Sequence, residues 1–208
     1  MDRAPGGLGW PNRISLARIL LVAPFLLCLW HAPNATSGFR HAAVALVALL
    51  AASDFLDGYL ARRLNQVSDL GRLLDPAGDK LLITAAFILL TLRGVPDASG
   101  GLLRVPAWVF AVALGKDLLV VFGCLACHRM VGQVSPQPSR LGKLCTALQL
   151  GTILLLLLAA DLPPGWGGVV PAAWWLATIV AIVAAADYVR IGLRLVGAAS
   201  DAARKGYS

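Results

Sequence analysis

The chain has 208 residues; 58% are hydrophobic, only 14% are charged, and the mean hydropathy is +0.75. A water-soluble domain of this length carries roughly 25% charged residues, so the composition excludes a soluble helical globule and points to the bilayer. The net charge of +7 does not imply nucleic acid. The 18 Lys and Arg form no dense basic run with interleaved aromatics and sit mostly at the ends of apolar stretches. All 11 acidic residues are Asp.

In chain order, six apolar stretches are long enough to cross a membrane as helices, at about 20 residues each. They cover residues 14–31, 40–60, 74–92, 106–128, 143–160 and 171–194. This predicts an all-α membrane protein of six transmembrane helices. Between them lie short connections rich in breakers: residues 32–38, 93–101, 133–139 and 161–168. The first stretch is read as a retained crossing and not a cleavable signal, because its apolar run is long and no small-residue cleavage site follows. No composition shift or internal repeat divides the chain, so 1–208 is expected to be a single domain. Cys28, Cys124, Cys127 and Cys145 lie in or beside apolar stretches, where a thiol behaves as a small hydrophobe. Cys124 to His128 spells the C-x-x-C-H of haem attachment, and Asn34-Ala35-Thr36 a glycosylation acceptor; both are read as chance matches.

Orientation follows from the cations. Fourteen Lys and Arg fall on the side holding both termini, the 60–74 loop and the 129–143 loop. Three, Arg40, Arg93 and Arg104, fall on the other side, and Lys116 lies mid-segment. Positive-inside bias makes the first side cytoplasmic, with both termini on it.

Five of the 11 Asp crowd into residues 54–79. Asp54, Asp57, Gly58, Ala61 and Arg62 stand at helical offsets 0, 3, 4, 7 and 8, which is one face. Gly58 and Ala61 leave a hollow beside two acids, and Arg62 brings a guanidinium suited to phosphate. Asp75 and Asp79, four apart, share a face of the next helix, with Gly71 and Pro76 at its entry. Asp69 fits neither face and is expected in the connecting loop. Carboxylates at a membrane are costly, at least about 2.5 kcal/mol each. A purely structural network with Arg62, Arg63, Arg72 and Lys80 would balance the charge but not explain two narrow acidic faces with small residues between them. Bound divalent metal explains both. Oxygen ligands alone favour Mg²⁺ or Mn²⁺, and four carboxylates suffice for two ions, the arrangement suited to phosphoryl transfer.

These residues complete a pattern, D-x2-D-G-x2-A-R-x8-G-x3-D-x3-D, at Asp54, Asp57, Gly58, Ala61, Arg62, Gly71, Asp75 and Asp79. In this the chain resembles the CDP-alcohol phosphatidyltransferases, and its six-helix plan and length agree with that family. The resemblance implies transfer of a phosphatidyl group from CDP-diacylglycerol to an alcohol, with release of CMP. It implies that Asp54, Asp57, Asp75 and Asp79 hold the metals and that Asp79 is the general base. It assigns Asp54, Gly58, Ala61, Arg62 and Gly71 to the donor nucleotide. It also implies a homodimer, in the cytoplasmic membrane of a bacterium, with the active site at the cytoplasmic face.

The acceptor is less sharply marked. Residues 10–24, 138–149 and 187–195 resemble stretches of bacterial phosphatidylglycerophosphate synthases, which would make glycerol 3-phosphate the acceptor. Arg140, Lys143 and Arg194 are then the cations expected to hold its phosphate. Cardiolipin synthases of the same fold share most of these stretches and use phosphatidylglycerol. Where the former tend to carry Arg-Glu and the latter Arg-Asp, this chain has Lys116-Asp117, which leaves phosphatidylglycerol, inositol phosphate and serine open as alternatives. An ion-coupled transporter is disfavoured, because the acids gather at one membrane face and do not line a path through the midplane.

Overall fold

The computed structural model describes the backbone of residues 10–33, 37–64, 69–99, 101–131, 140–163 and 166–205. It describes their side chains except at 10–19, 37, 54–64, 69–79, 128, 130–131, 140 and 198–205. Six long helices dominate: α1 (Trp10–His31), α2 (Ser37–Leu64), α3 (Asp69–Leu92), α4 (Ala107–Val131), α5 (Arg140–Leu157) and α6 (Val169–Lys205). Two-residue strands β1 (Val95–Pro96) and β2 (Leu102–Leu103) pair antiparallel between α3 and α4. Short 3₁₀ turns at Ala159–Asp161 and Trp166–Gly168 link α5 to α6.

Each apolar stretch became a helix, with ends that differ from those expected. Helix α2 runs on to Leu64 and α3 begins at Asp69, so the connection shrinks to residues 65–68. Asp69 therefore opens a helix and does not sit in a loop, in keeping with the favourable field for an acid in a first turn. Helix α6 continues to Lys205, eleven residues past its expected end, through an Ala- and Arg-containing tail of good helix formers. Several hydroxyls inside these helices are satisfied locally, although Thr91 Oγ1 of α3 is buried with no hydrogen-bond partner among the described residues. Ser53, Thr152 and Thr178 donate to the carbonyls of Leu49, Leu148 and Trp174, four residues back, at 2.7–2.8 Å.

The helices sort into two compact units. The first takes in the described residues up to Val105 together with Ile153–Gly167. Here α1 packs on both α2 and α3. Its core follows helical spacing: Val22, Phe25 and Leu29 from α1, Ala43, Val47 and Leu50 from α2, and Ile83, Ala86, Phe87 and Leu90 from α3. One end of this unit is pinned by polar contacts. Arg40, 6% exposed, forms a bidentate ion pair with Asp161 at 2.6 and 2.8 Å and also donates to the Leu157 carbonyl at 3.0 Å. His41 Nε2 lies 3.4 Å from the same carboxylate. The hydrogen bonds from Arg40 hold the Asp161 carboxyl below the usual carboxylate range. His31 stacks on Phe39, and the Arg93 guanidinium lies over the Trp30 ring, 4.2 Å from its centroid. The C-terminal ends of α1 and α3 and the N-terminal end of α2 thus meet at one end of the unit. The opposite ends of α2 and α3 carry residues 54–64 and 69–79.

The β1–β2 hairpin closes that pinned end. Gly94 has φ +73°, and a Cβ there would lie 2.7 Å from both the Leu103 carbonyl oxygen and Arg104 Cγ. Asp97 organises the turn: its Oδ1 accepts from Ser99 Oγ, Gly101 N and Ser99 N at 2.7, 2.7 and 2.9 Å. The Ser99 hydroxyl above all, then the Gly101 amide, lowers its carboxyl below the usual range.

The second unit holds Pro106–Thr152 and the residues from Gly168 onward, with α4 packed along α6. The buried side of α6 carries Ala177, Ala181 and Ala184, small residues that let two helices approach closely. Trp108 and Trp175 meet with ring centroids 4.8 Å apart. The outward residues of this unit are large and apolar, including Leu119, Val121, Phe122 and Leu125 on α4 and Ile179, Ile182 and Val183 on α6.

Candidate active site on helices α2 and α3

Both helices predicted to carry the acidic faces are present. Asp54, Asp57, Gly58, Ala61 and Arg62 fall in the last three turns of α2, and Gly71, Asp75 and Asp79 in the first three of α3. The offsets of 0, 3, 4, 7 and 8, and of 0 and 4, therefore apply to helical backbone. Four residues of connection require the end of α2 and the start of α3 to be close in space. The side chains of 54–64 and 69–79 lie outside the described residues, so the arrangement of the carboxylates among themselves does too. Among the described residues, no group of three His, Cys, Asp or Glu is gathered as a metal site. The pattern's donor set is nonetheless chemically matched to hard divalent cations: Asp54, Asp57, Asp75 and Asp79 are carboxylates, and residues 54–79 contain no Cys or His.

The three acceptor cations lie in the second unit. Arg140 is the first residue of α5, while Lys143 on α5 and Arg194 on α6 are exposed. Among the described residues, no hydrogen bond or ion pair joins Lys143 to Arg194.

That unit also contains a buried polar cluster only partly visible in the sequence. Lys116 of α4 is 7% exposed, and its Nζ lies 2.9 Å from Asp117 Oδ1. Cys145 of α5, fully buried, lies close enough to Lys116 to interact with its charge. Gln149, one turn further along α5 on the same side, is 2% exposed, and its Nε2 has no hydrogen-bond partner among the described residues. Lys116-Asp117 stood out as a sequence departure. Cys145 and Gln149 did not, although their four-residue spacing on an apolar helix was the available signal. Cys124 and Cys127, half of the haem-like pattern, are free and partly buried within α4.

The chain matches the family model for CDP-alcohol phosphatidyltransferase over residues 8–186. It belongs to that family. It is thus an enzyme of the phosphatidyltransferase class, built on a mostly helical fold. A cardiolipin synthase (CMP-forming) of Streptomyces coelicolor is 38% identical over 158 residues, covering 75% of this chain and 67% of the relative. Two relatives are named CDP-diacylglycerol–glycerol-3-phosphate 3-phosphatidyltransferase. That of Bacillus subtilis is 32% identical over 71% of this chain and 76% of its own length. That of Pseudomonas fluorescens is 41% identical over 110 residues, and the match spans only about half of either protein, 53% of this chain and 51% of the relative.

Proposed function

We propose that this phosphatidyltransferase moves the phosphatidyl group of CDP-diacylglycerol to glycerol 3-phosphate, releasing CMP and forming phosphatidylglycerophosphate. The observation that carries this reading is the complete eight-residue pattern on two consecutive helices joined by four residues, inside a chain of this family. The names of the Bacillus and Pseudomonas relatives support glycerol 3-phosphate. That of the Streptomyces relative supports phosphatidylglycerol, the second reading.

In the proposed mechanism the hollow at Gly58 and Ala61 takes the cytidine, with Gly71 near it, and Arg62 holds a donor phosphate with its fork of N–H groups. Asp54, Asp57, Asp75 and Asp79 would hold two Mg²⁺ or Mn²⁺ ions, which when bound screen the phosphate charge and steady the attacking and leaving oxygens. The acceptor hydroxyl attacks the lipid-bearing phosphorus while Asp79 takes up its proton as attack proceeds. Arg140, Lys143 and Arg194 hold the acceptor phosphate.

The same reading places six crossings in a bacterial cytoplasmic membrane, with both termini and the acidic helix ends on the cytoplasmic side, as one domain that forms a homodimer. Its support is physical. The shortest of the six helices has 18 residues, about 27 Å at 1.5 Å per residue, close to the thickness of a bilayer core. Within the described residues, Ala107–Cys127 and Trp166–Gly197 are long and apolar enough to cross by themselves; the apolar parts of the other four helices are shorter.

The test is CMP release from labelled CDP-diacylglycerol, with the lipid product identified for glycerol 3-phosphate, phosphatidylglycerol, inositol phosphate and serine in turn. Phosphatidylglycerophosphate is the expected product. Activity should vanish with a chelator and return with Mg²⁺ or Mn²⁺. No CMP with any acceptor and either metal would overturn the reading.

A further inference from the structure

At the pinned end of the first unit stands an arginine whose guanidinium has no hydrogen-bond partner among the described residues. Arg93 follows the last turn of α3, its backbone N–H still bonded to the Leu89 carbonyl at 2.8 Å. Its guanidinium carbon sits 4.2 Å from the Trp30 ring centroid, yet its Nε is buried with no acceptor among the described residues. Among the described residues no carboxylate or carbonyl receives a bond from this side chain. A buried donor left unpaired is costly, and a cation–π contact with an indole takes up none of the N–H groups of the fork as hydrogen bonds.

A second cation stands beside it. The Arg104 stem lies against Gly94, the residue next to Arg93, where a Cβ would meet Arg104 Cγ at 2.7 Å. Arg104 is exposed and likewise enters no side-chain hydrogen bond or ion pair among the described residues. The two acids at this end are engaged elsewhere. Asp161 is held by Arg40, and Asp97 Oδ1 by Ser99 and Gly101. Next to the pair the surface is apolar: Leu92 is 64% exposed, Leu27 62% and Trp30 47%. A tryptophan and an arginine above exposed leucines is what a membrane–water boundary selects.

We propose that Arg93 and Arg104, with Trp30 as the platform, form a binding site for the phosphate of an anionic phospholipid at the end of the unit away from the catalytic helix ends. Asp79 stands about 20 Å back along α3, at 1.5 Å per residue, so this lipid is a structural ligand and not the substrate. A lipid fits better than free phosphate, because the exposed Leu92 and Leu27 lie where its acyl chains would run. The proposal rests on the membrane reading but not on the choice of acceptor.

The experiment places wild type, R93Q, W30L and R129Q in discs of dioleoylphosphatidylcholine containing a minor fraction of dioleoylphosphatidic acid, an anionic lipid that is neither acceptor nor product in either reading. Lipids retained after detergent extraction are then counted by native mass spectrometry. Wild type should retain the anionic lipid over the zwitterionic one. R93Q should retain about tenfold less, the loss expected for one charge-assisted hydrogen bond. W30L, which leaves every charge in place, should also retain less. R129Q, which removes the same charge from another exposed position, should match wild type. Melting in pure phosphatidylcholine discs checks that each variant is folded; R93K, which keeps the charge and loses the fork, replaces R93Q if the latter is not. Equal retention by wild type and the Arg93 variant overturns the proposal. So does equal loss in R129Q, or displacement of the lipid by inorganic phosphate. CMP release, measured in parallel, should be the same in wild type and R93Q. Its absence from both would count against the catalytic reading and leave the lipid count standing.

Discussion

Removing the carboxylate of Asp161 should destabilise the protein more than removing the guanidinium it binds. Asp161→Ala strands a cation that is 6% exposed, leaving it only the Leu157 carbonyl of its three protein acceptor contacts. Breaking a buried pair in this way costs about 3–5 kcal/mol. The Asp161 side chain is 42% exposed, so water can reach the gap it leaves; about 2 kcal/mol is the discounted expectation. Arg40→Leu takes the charge away with the bonds and lets Asp161 rehydrate. It should cost nearer ~1 kcal/mol, for the carbonyl left without its donor. For a chain of this size that corresponds to melting shifts of about 4–8 °C and about 2–4 °C. The double variant should melt close to Arg40→Leu. The pH dependence has a fixed sign. Because Arg40 depresses the folded Asp161 carboxyl, the pair's contribution is complete above the ordinary aspartate value, about 3.9. It is lost as pH falls through the lower folded value. Thermal unfolding in one detergent should thus give the same wild-type-to-Asp161→Ala gap at neutral and mildly acidic pH, narrowing only in strong acid. Equal costs for the two single variants, a reversed order, or a gap that acid leaves untouched would refute this account of the pair.

Asp79→Asn should lower CMP release by about 10²–10⁴-fold while donor binding is retained; turnover at the wild-type rate would remove Asp79 as the base. Ala61→Leu should fill the proposed cytidine hollow and weaken donor affinity by roughly 1–3 kcal/mol, read by titration with CDP-diacylglycerol. An unchanged affinity puts the nucleotide elsewhere. Gly94→Ala must hold a side chain at φ +73° with its Cβ 2.7 Å from Leu103 O. It should lose about 2 kcal/mol or more by thermal melting; a neutral outcome would mean the hairpin relaxes freely.

The helices were legible because each is an apolar run, and a membrane demands that such runs satisfy their own backbone. Their ends were less so. Hydropathy marks where oil stops, whereas hydrogen bonding continues through Arg62, Arg63 and Leu64, back from Leu74 to Asp69, and out along α6 to Lys205. The acidic pattern could be read directly because its members are local, within two helices and a short link. The Arg40–Asp161 pair has no local signature: the two residues are 121 apart in the chain, and nothing near either one marks the other. The β1–β2 hairpin escaped for the opposite reason. Two residues per strand carry no alternation, and only the breakers around Pro96 and Gly101 hinted at a turn.

That same separation sets an order of events. Arg40 is synthesised 121 residues before its partner. At roughly 5–20 residues per second the wait is on the order of 6–24 s. Throughout it, α1, α2 and α3 must tolerate an unneutralised guanidinium at the end of α2, kept wet until the end of α5 arrives with both Leu157 and Asp161. The first unit therefore stays open while α4 and most of α5 are made, and its clasp is among the last contacts to close. Late contacts of this kind act on the lifetime of the finished protein, through the unfolding rate, more than on how fast it forms.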